Sequence, residues 1–297
     1  MDKETLQKYE KAGSIASQAL KKGLSMIKPG ASTKKILDET EAYIKSQGAG
    51  IAFPAQIAVN EVAAHYCPAE DDTILKEGDT VKLDVGVHID GYIADTAKTI
   101  RLGGQDDLVK ASQDALREAL KKISPGAMLG EIGKTIQETI TSYGFAPIRN
   151  LSGHALGRYE VHAKPTIPNI DTGDKTELKE NQVVAIEPFA SKGAGIVYES
   201  SNPTLFTLTA EKPVRSPLTR QVLQEIKKYK GLPFTSRWLY NEHGIGKTRF
   251  ALRELKSHGM LQEHPPLLDK ARGVVSQAEH SVIIKDKPII YTKGDND

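Results

Sequence analysis

The sequence contains few of the features that would mark a secreted or membrane-bound protein. It has a single cysteine, Cys67, so a framework of intramolecular disulfides is excluded. No stretch approaches the roughly 18 consecutive apolar residues of a membrane-spanning helix, and residues 1–13 are too charged to form the apolar core of a signal peptide. The net charge of +2 gives no strong field that would favour nucleic acid or membrane. We therefore expect a soluble, cytoplasmic protein with neither as a partner.

The spacing of apolar residues predicts an α+β protein. Apolar residues that recur every three or four positions predict helices, and alternating or continuous apolar runs predict strands. The predicted helices cover 3–28, 33–47, 106–123 and 130–143. The predicted strands lie within 51–59, 80–100, 182–188, 204–209 and 281–291. Because helices followed by strands occur twice along the chain, the order suggests a duplicated α/β unit.

Residues 211–265 differ in character from the rest of the chain. They are basic and helical in pattern, and they are punctuated by prolines such as Pro217 and Pro233. No low-complexity linker separates them from their neighbours. We therefore predict one domain, residues 1–297, that carries a helical subdomain inserted at 211–265. Short helices followed by a proline-rich turn resemble a winged-helix module, which leaves DNA binding open as an alternative for this segment.

The most informative segment is a predicted hairpin at residues 81–96. Asp90-Gly91 is a strong signal for a two-residue turn, and such a turn sets Gly86 opposite Asp95. Because side chains alternate between the faces of a strand, Asp84 and Asp95 then lie on one face, a diagonal step apart. Such neighbours are about 7–8 Å apart at the backbone, close enough for two carboxylates to converge on one ion. We also expect Gly86 to leave the space opposite Asp95 open.

Two acids within an otherwise apolar hairpin need compensation. Each buried carboxylate loses its hydration, and the two negative charges repel each other. A divalent cation would compensate both effects. The alternative is that Asp84 and Asp95 are solvated side chains on an exposed face of the sheet, and the hairpin by itself does not decide between the two interpretations.

Further candidates for chemistry occur later in the chain. His154 follows two small residues, and His162 comes eight positions later; each histidine, taken alone, is consistent with a purely structural role. Glu187 stands at the end of one apolar run and Glu279 just before another. A carboxylate in either position is hard to explain as an ordinary surface residue.

Taken together, these residues resemble the methionine aminopeptidases, a family of two-metal hydrolases with the pita-bread fold. The matching stretches are 60–66, 82–86, 94–97, 153–159, 161–162, 185–188 and 277–280. The resemblance extends from about residue 3 to the end, and each of the family's five metal ligands has a counterpart in the same order. It implies an α+β pita-bread fold, in which two pseudo-twofold related α/β halves surround a curved antiparallel sheet.

The spacing of the last two acids indicates a branch of that family. Glu187 and Glu279 are 92 positions apart, whereas type 1 enzymes have the corresponding ligands much closer together. The additional length coincides with the predicted insertion, which is typical of type 2. Because Asp84 comes early, we expect no long N-terminal extension of the eukaryotic kind, and the chain is similar to the short archaeal form.

The resemblance also implies a metal centre and a reaction. It implies two divalent ions per chain, held by Asp84, Asp95, His154, Glu187 and Glu279. Ligation by oxygen with a single imidazole suits Co, Mn or Fe, and Zn stays open. Asp95 and Glu279 would bridge the ions, and a hydroxide between the ions would attack the first peptide bond.

Further roles follow from the same resemblance. His162 would steady the developing oxyanion, His65 would contact the scissile amide, and Glu187 would relay the proton. Phe53 and His162 would bind the methionine side chain. His264 stands where eukaryotic members have a tyrosine, so the remaining lining of that pocket stays open.

The implied substrate is the N-terminal methionine of nascent polypeptides, followed by a small second residue. We expect a monomer and leave a transient contact with the ribosome open. Two alternatives use the same fold: a binding protein that has lost its metals, and an Xaa-Pro peptidase. Prolidases and aminopeptidase P resemble the chain less, because they have a large extra domain before the first aspartate.

Overall fold

The computed structural model describes residues 1–200 and 202–294. The helices are α1 Lys3–Met26, α2 Thr33–Ser46, α3 Asp107–Leu120, α4 Leu129–Ser142, α5 Pro217–Lys227, α6 Ser236–His243 and α7 Ile245–Ser257. The strands are β1 Gly50–Val59, β2 Val62–Ala64, β3 Thr80–Ile89, β4 Tyr92–Arg101, β5 Ala146–Pro147, β6 Ser152–Gly157, β7 Glu160–Pro168, β8 Val183–Ile186, β9 Phe189–Ser191, β10 Val197–Glu199, β11 Leu205–Leu208, β12 Phe234–Thr235, β13 Leu261–His264, β14 Leu267–Asp269, β15 Val275–Ile283 and β16 Ile289–Ile290.

The first two helices begin where polar side chains can cap them. The carboxylate of Asp2 accepts a hydrogen bond from the backbone N–H of Thr5, and the hydroxyl of Ser32 accepts one from that of Lys35. These bonds satisfy donors that have no partner within the first turn of a helix. Helix α2 thus begins beside Ser32, in agreement with its predicted start.

The main sheet joins two similar halves of the chain. Its path runs β1-β3-β4-β15-β8-β6-β7, and every pair along it is antiparallel. Helices α1 and α2 pack on the strands of the first half, and α3 and α4 pack on those of the second. Strands β4 and β15 meet in the middle. The predicted α+β class, with a repeated order of helices and strands around an antiparallel sheet, is confirmed.

Each half has its own group of buried apolar side chains. In the first half, Leu83, Val85 and Val87 of β3 point into a core shared with α1 and α2. In the second, residues such as Ile132 and Val184 pack between α3, α4 and the strands. The face of β3 that carries Asp84 is therefore the face turned away from the first core, because side chains alternate along the strand.

The predicted strand at 281–291 is wrong in its extent. The structure has β15 at Val275–Ile283 and β16 at Ile289–Ile290, with a turn between them. The two strands pair with each other, which requires the chain to reverse within the apolar run. Strand β15 also begins earlier than predicted, because its first residues pair with β9. Glu279 consequently lies inside a strand rather than ahead of one.

The segment predicted as an insertion contains helices α5, α6 and α7. Their apolar faces form a separate buried cluster that includes Val222, Leu239 and Leu255. The small sheet beside them has the order β12-β11-β13, so a strand at Leu205–Leu208, ahead of residue 211, belongs to it. Division of the chain into a domain and an inserted subdomain at 211–265 stays a prediction. Within the described parts of the chain, no helix combines the length and the apolar character needed to span a membrane.

Candidate metal centre

The β3–β4 hairpin places two acids in the wall of a cavity of about 220 Å³. Asp90 and Gly91 both have positive φ, at 52° and 87°, as a two-residue hairpin turn of this kind requires. The turn sets Gly86 opposite Asp95, in agreement with the predicted register. Asp84 lies two positions before Gly86 and therefore faces the same side as Asp95. Both carboxylates line the cavity.

The space beside Gly86 is filled, which contradicts the expectation that it would be open. A Cβ atom at Gly86 would lie 2.3 Å from the ring of Phe53. The pairing of β1 with β3 is irregular on both sides of Phe53, and the ring packs against the glycine. Phe53 is 4% exposed and lines the same cavity. Gly86 is needed there because any larger residue would displace that ring.

The other three predicted metal ligands lie in the second half of the chain. His154 lies on β6, Glu279 lies within β15, and Glu187 directly follows β8. Nε2 of His154 is 3.7 Å from Oδ2 of Asp95 and 3.5 Å from Oε1 of Glu187. Asp95, His154 and Glu279 each offer a ligand atom within 4.8 Å of the others. All five residues expected to hold metal thus line one cavity.

The four carboxylates of this group share an unfavourable environment. Burial raises the pKa of Asp84 to about 7, and it raises the pKa values of the other three well above their ordinary range. Repulsion between the acids adds to the effect at Asp95, Glu187 and Glu279. Among the described residues, Oδ1 of Asp84, Oδ1 of Asp95 and Oε1 of Glu279 are buried without a hydrogen-bond partner. Buried acceptors in this state require a cation or a proton.

The donor set fits a divalent metal ion. Burial lowers the pKa of His154 to about 3, so its imidazole is neutral at pH 7. Nδ1 of His154 lies 3.2 Å from the carbonyl oxygen of Ala155. A carbonyl can only accept, so Nδ1 carries the hydrogen and Nε2, which faces Asp95 and Glu187, keeps its lone pair. Oxygen ligands with one imidazole match the preferences of Mn, Fe and Co.

Gln277 contacts the acids, although sequence reasoning gave it no role. Its Nε2 lies 3.4 Å from Oε2 of both Glu187 and Glu279, and a hydrogen bond from Gln277 partly offsets the raised pKa of Asp84. Gln277 and Glu279 are two positions apart on β15, so they share a face. The same alternation that placed Asp84 beside Asp95 would have identified Gln277 if the strand had been predicted to begin at Val275.

Three further histidines line the cavity. Of these, His65 and His162 were predicted from the sequence, and His264 was noted there only as a departure from the family pattern. The rings of His65 and His264 are 5.7 Å apart between centroids, and those of His154 and His162 are 4.6 Å apart. Burial lowers the pKa of His65 to about 3 and also lowers that of His162, which reaches solvent through the cavity. Both rings are therefore neutral at pH 7 and carry one N–H each. The ring of His65 also makes a backbone hydrogen bond at Pro265, and its Nδ1 is buried without a hydrogen-bond partner in the described structure.

Part of the cavity wall comes from the segment that follows β10. Leu205 and Pro233 line the cavity, as does His264, whose Nε2 lies 2.9 Å from the hydroxyl of Thr207. That contact spans β11 and β13, which pair directly. Leu205 and Pro233, together with Phe53, give the cavity wall an apolar surface. Their positions could not be read from the sequence, because long-range pairing brings them together.

Known proteins resemble the chain along most of its length. Residues 7–209 match the family described as Metallopeptidase family M24. The sequence is 48% identical to the methionine aminopeptidase of Thermococcus onnurineus over 286 residues, which cover 95% of this chain and 97% of the relative. It is 43% identical to that of Archaeoglobus fulgidus over 288 residues, 96% and 97% of the two chains. The crystal structure of the methionine aminopeptidase from Thermotoga maritima superposes with a TM-score of 0.74 at 25% identity, covering 99% and 98%.

Proposed function

The chain belongs to metallopeptidase family M24, and from that premise we propose that it removes N-terminal methionine from polypeptides in a metal-dependent reaction. The observation that carries the proposal is the set of four carboxylates beside neutral His154. Three of their oxygens are buried without a hydrogen-bond partner in the described structure. An arrangement so unfavourable in the protein alone is the expected form of a site built for cations.

Two divalent ions would be held by Asp84, Asp95, His154, Glu187 and Glu279. Four ionised carboxylates carry a charge of −4, which two divalent ions balance. We propose Co, Mn or Fe, with Zn as the less favoured choice for this donor set. When bound, such ions lower the pKa of water toward neutrality and polarise the peptide carbonyl, which supplies the nucleophile and the electrophile of peptide hydrolysis.

The remaining chemistry is assigned to side chains of the cavity. Glu187, whose side chain is 13% exposed, would take a proton from the attacking water and return it to the departing amine. His162 would donate its N–H to the carbonyl oxygen as negative charge develops there. His65 would donate to the scissile amide. The neutral state of both rings supports these roles, since each keeps one donor and one acceptor nitrogen.

The methionine side chain would lie against the apolar part of the cavity. Phe53 is the residue proposed from the sequence, and Leu205 and Pro233 line the same space. An unbranched thioether adapts well to an irregular apolar surface of this kind. By resemblance to the family we also propose a preference for a small second residue.

Finer assignments follow from the same relatives. The 92-residue spacing between Glu187 and Glu279 supports a place among the type 2 enzymes. In that case the segment 211–265 contributes directly to the site, because Pro233 and His264 line the cavity. We propose nascent polypeptides in the cytoplasm as substrates and a monomer as the working form.

A peptide assay tests the proposal. The protein is freed of metal with a chelator, supplied with Mn, Fe, Co or Zn, and incubated with Met-Ala-Ser or Ala-Pro-Ser. We expect methionine to be released from Met-Ala-Ser with at least one ion and no release without metal. Faster cleavage of Ala-Pro-Ser would indicate an Xaa-Pro peptidase. Absence of cleavage with every ion, in protein shown to be folded by circular dichroism, would indicate a binding protein.

A further inference from the structure

His65 has an unusual backbone conformation for a residue proposed to act on the substrate. Its φ is +61°, in the left-handed region that is uncommon for residues other than glycine, although histidine adopts it more often than most. A residue persists in that region only where its surroundings hold it there. The position of the imidazole therefore depends on whatever fixes the backbone of His65, as well as on the backbone hydrogen bond that the ring makes at Pro265.

The side chain of Gln56 supplies that constraint. Its Oε1 accepts a hydrogen bond from the backbone N–H of His65 at 2.7 Å. Gln56 is 9% exposed, lines the cavity and lies on β1 directly opposite Asp84 of β3. The amide is thus held on a paired strand of the main sheet, and it ties His65 to the same part of the sheet that carries the acids.

The residues on either side of His65 are held by other means. Ala64 pairs with Leu267 in a small sheet, and the carbonyl of Tyr66 accepts a backbone hydrogen bond from Ile57 at 3.0 Å. The carbonyl of Cys67 accepts one from the hydroxyl of Thr204 at 2.6 Å. The strand and the loop would therefore stay in place without Gln56, and only the local conformation of His65 would be free to change.

We propose that Gln56 is a positioning residue that acts through His65, and this rests on the function proposed above. Its hydrogen bond fixes the left-handed backbone of His65 and thereby aims the imidazole at the scissile amide. Loss of that bond leaves the five ligand residues and the apolar surface unchanged. The reaction step should then slow, while binding of the ions and of the methionine side chain should not.

The test compares Gln56→Met, which keeps the length and removes the acceptor, with Gln182→Met as a matched control. Oε1 of Gln182 also accepts a backbone N–H at 2.7 Å, from Lys179, but Gln182 is not among the residues that line the cavity. Gln56→Asn, too short to reach His65, serves as a second variant if the first fails to fold. The measurements are kcat and KM on Met-Ala-Ser, metal affinity by calorimetry, and the imidazole signals of 13C-histidine-labelled protein.

We expect kcat to fall about 10- to 100-fold in both Gln56 variants, as a misplacement of about 1 Å does elsewhere. KM and metal affinity should stay within about twofold, and the control should match the wild type. In a His65→Ala background, Gln56→Met should cause no further loss, because the two residues act in series. The signal of His65, assigned by its absence in His65→Ala, should shift in both Gln56 variants while the other imidazole signals stay.

Three results would overturn the proposal. If the decreases in kcat caused by Gln56→Met and His65→Ala multiply in the double variant, Gln56 acts independently of His65. A parallel fall in metal affinity would place its effect on Asp84 instead. An unmoved His65 signal with full turnover would show that the bond is dispensable. If the wild type itself releases no methionine, the proposed function fails, and the imidazole signals of the metal-free protein still decide whether Gln56 holds His65.

Discussion

Glu41 and Glu279 are both almost completely buried, at 3% and 2% exposure, but their surroundings differ. The carboxylate of Glu41 accepts hydrogen bonds from Nη2 of Arg237 at 2.6 Å, from Nε1 of Trp238 at 2.8 Å and from the backbone N–H of Ala55 at 3.1 Å. Oε1 of Glu279, in contrast, has no hydrogen-bond partner in the described structure. One glutamate is satisfied by the protein and the other is not.

The same contrast holds for the groups around these two residues. Arg237 also binds Asp38, so the Arg237 cluster (Asp38, Glu41, Arg237 and Trp238) contains its own cation. The cavity acids (Asp84, Asp95, Glu187 and Glu279) have neutral His154 and Gln277 as neighbours. Buried charges that are paired within the chain contribute to the fold, whereas buried charges left unpaired indicate a ligand from outside. The two groups should therefore respond to mutation in opposite ways.

The largest effect is expected from Asp95→Asn. Loss of one ionised ligand removes part of the charge stabilisation that bound metal provides, which is of several kcal/mol. We expect kcat/KM on Met-Ala-Ser to fall about a thousandfold. The metal-free variant should be at least as resistant to urea as the wild type, because the substitution removes a buried carboxyl whose ionisation is disfavoured by burial and by the neighbouring acids.

Asp90→Asn is the matched control for this variant. Asp90 lies on the same hairpin but at its exposed turn, and asparagine tolerates the positive φ found there. Its activity and stability should stay near those of the wild type. Full activity of Asp95→Asn would remove Asp95 from the metal centre, and a strongly destabilised metal-free variant would mean that its charge serves the fold.

Arg237→Met should have the reverse pattern. Removing the guanidinium leaves Glu41 buried and without its charged partner, which costs about 3–5 kcal/mol of unfolding free energy. Urea unfolding of the metal-free protein measures this loss. Metal affinity should stay unchanged in the fraction that remains folded, because Arg237 does not line the metal cavity.

Arg249→Met provides the comparison for Arg237→Met. Arg249 also binds a glutamate, Glu70, but its own side chain is 62% exposed and that of Glu70 is 34% exposed. Exposed ion pairs contribute about 0.2–1 kcal/mol, so this variant should lose little stability. Equal losses of unfolding free energy for Arg237→Met and Arg249→Met would show that burial of the Arg237 cluster does not affect stability.

The pH dependence of metal binding separates the acids from the histidine. The pKa of Asp84 is raised to about 7, so below that pH the carboxyl holds a proton that metal must displace. The pKa of His154 is lowered to about 3, so its imidazole already has a free lone pair. The raised pKa values of Asp95, Glu187 and Glu279 add further protons that metal must displace. Affinity should therefore fall as pH decreases, with the Asp84 proton contributing below about pH 7, by about tenfold per pH unit for each proton released.

Calorimetry in buffers of different ionisation enthalpy counts those protons. Asp84→Asn, which cannot take up the proton, should release fewer of them at pH 6 than the wild type. If both proteins release the same number of protons, with a midpoint of proton release near pH 6.5, an ordinary histidine would be the titrating group instead. The contrast between the cavity acids and the Arg237 cluster would then lose its electrostatic basis.

The hairpin was predictable from the sequence because its information is local. The Asp90-Gly91 turn and the alternation of side chains fix the register, and the structure has Gly86 opposite Asp95 as expected. Helix α2 was predictable for the same reason, since Ser32 caps it. Features set by neighbours in sequence survive folding when tertiary contacts do not oppose them.

The other features of the site depend on contacts between distant segments. Phe53 fills the space at Gly86 because β1 pairs irregularly with β3, and no local pattern reports such an irregularity. Glu279 meets the hairpin because β15 pairs with β4, from which it is far removed along the chain. The hydrogen bond from the backbone N–H of His65 to Gln56 likewise depends on the positive φ of His65, which no local sequence pattern predicts. The prediction that Asp84, Asp95, Glu187 and Glu279 form one site therefore came from resemblance to the family and not from periodicity.

The reactivity of Cys67 reports on the Arg237 cluster alone, and it is the smallest effect that we expect. Its side chain is fully buried, with Sγ 3.9 Å from Nη2 of Arg237, and burial raises the pKa of the thiol. A buried thiol with a raised pKa reacts poorly, because the thiolate is the nucleophile. We expect iodoacetamide at pH 8 to modify Cys67 in the native protein at least about a hundredfold more slowly than in urea.

The rate of modification also reports which buried group has been disturbed. Arg237→Met should accelerate modification of Cys67, because the cluster packed against the thiol loses its cation and opens more often. Asp95→Asn should leave the rate at the native value, and so should removal of metal, because Cys67 is absent from the lining of the metal cavity. Rapid modification of the intact protein, or equal acceleration by the two variants, would mean that the Arg237 cluster and the cavity acids are not independent. Because the Arg237 cluster holds the backbone of Ala55, one residue before Gln56, such coupling would then extend to the positioning of His65.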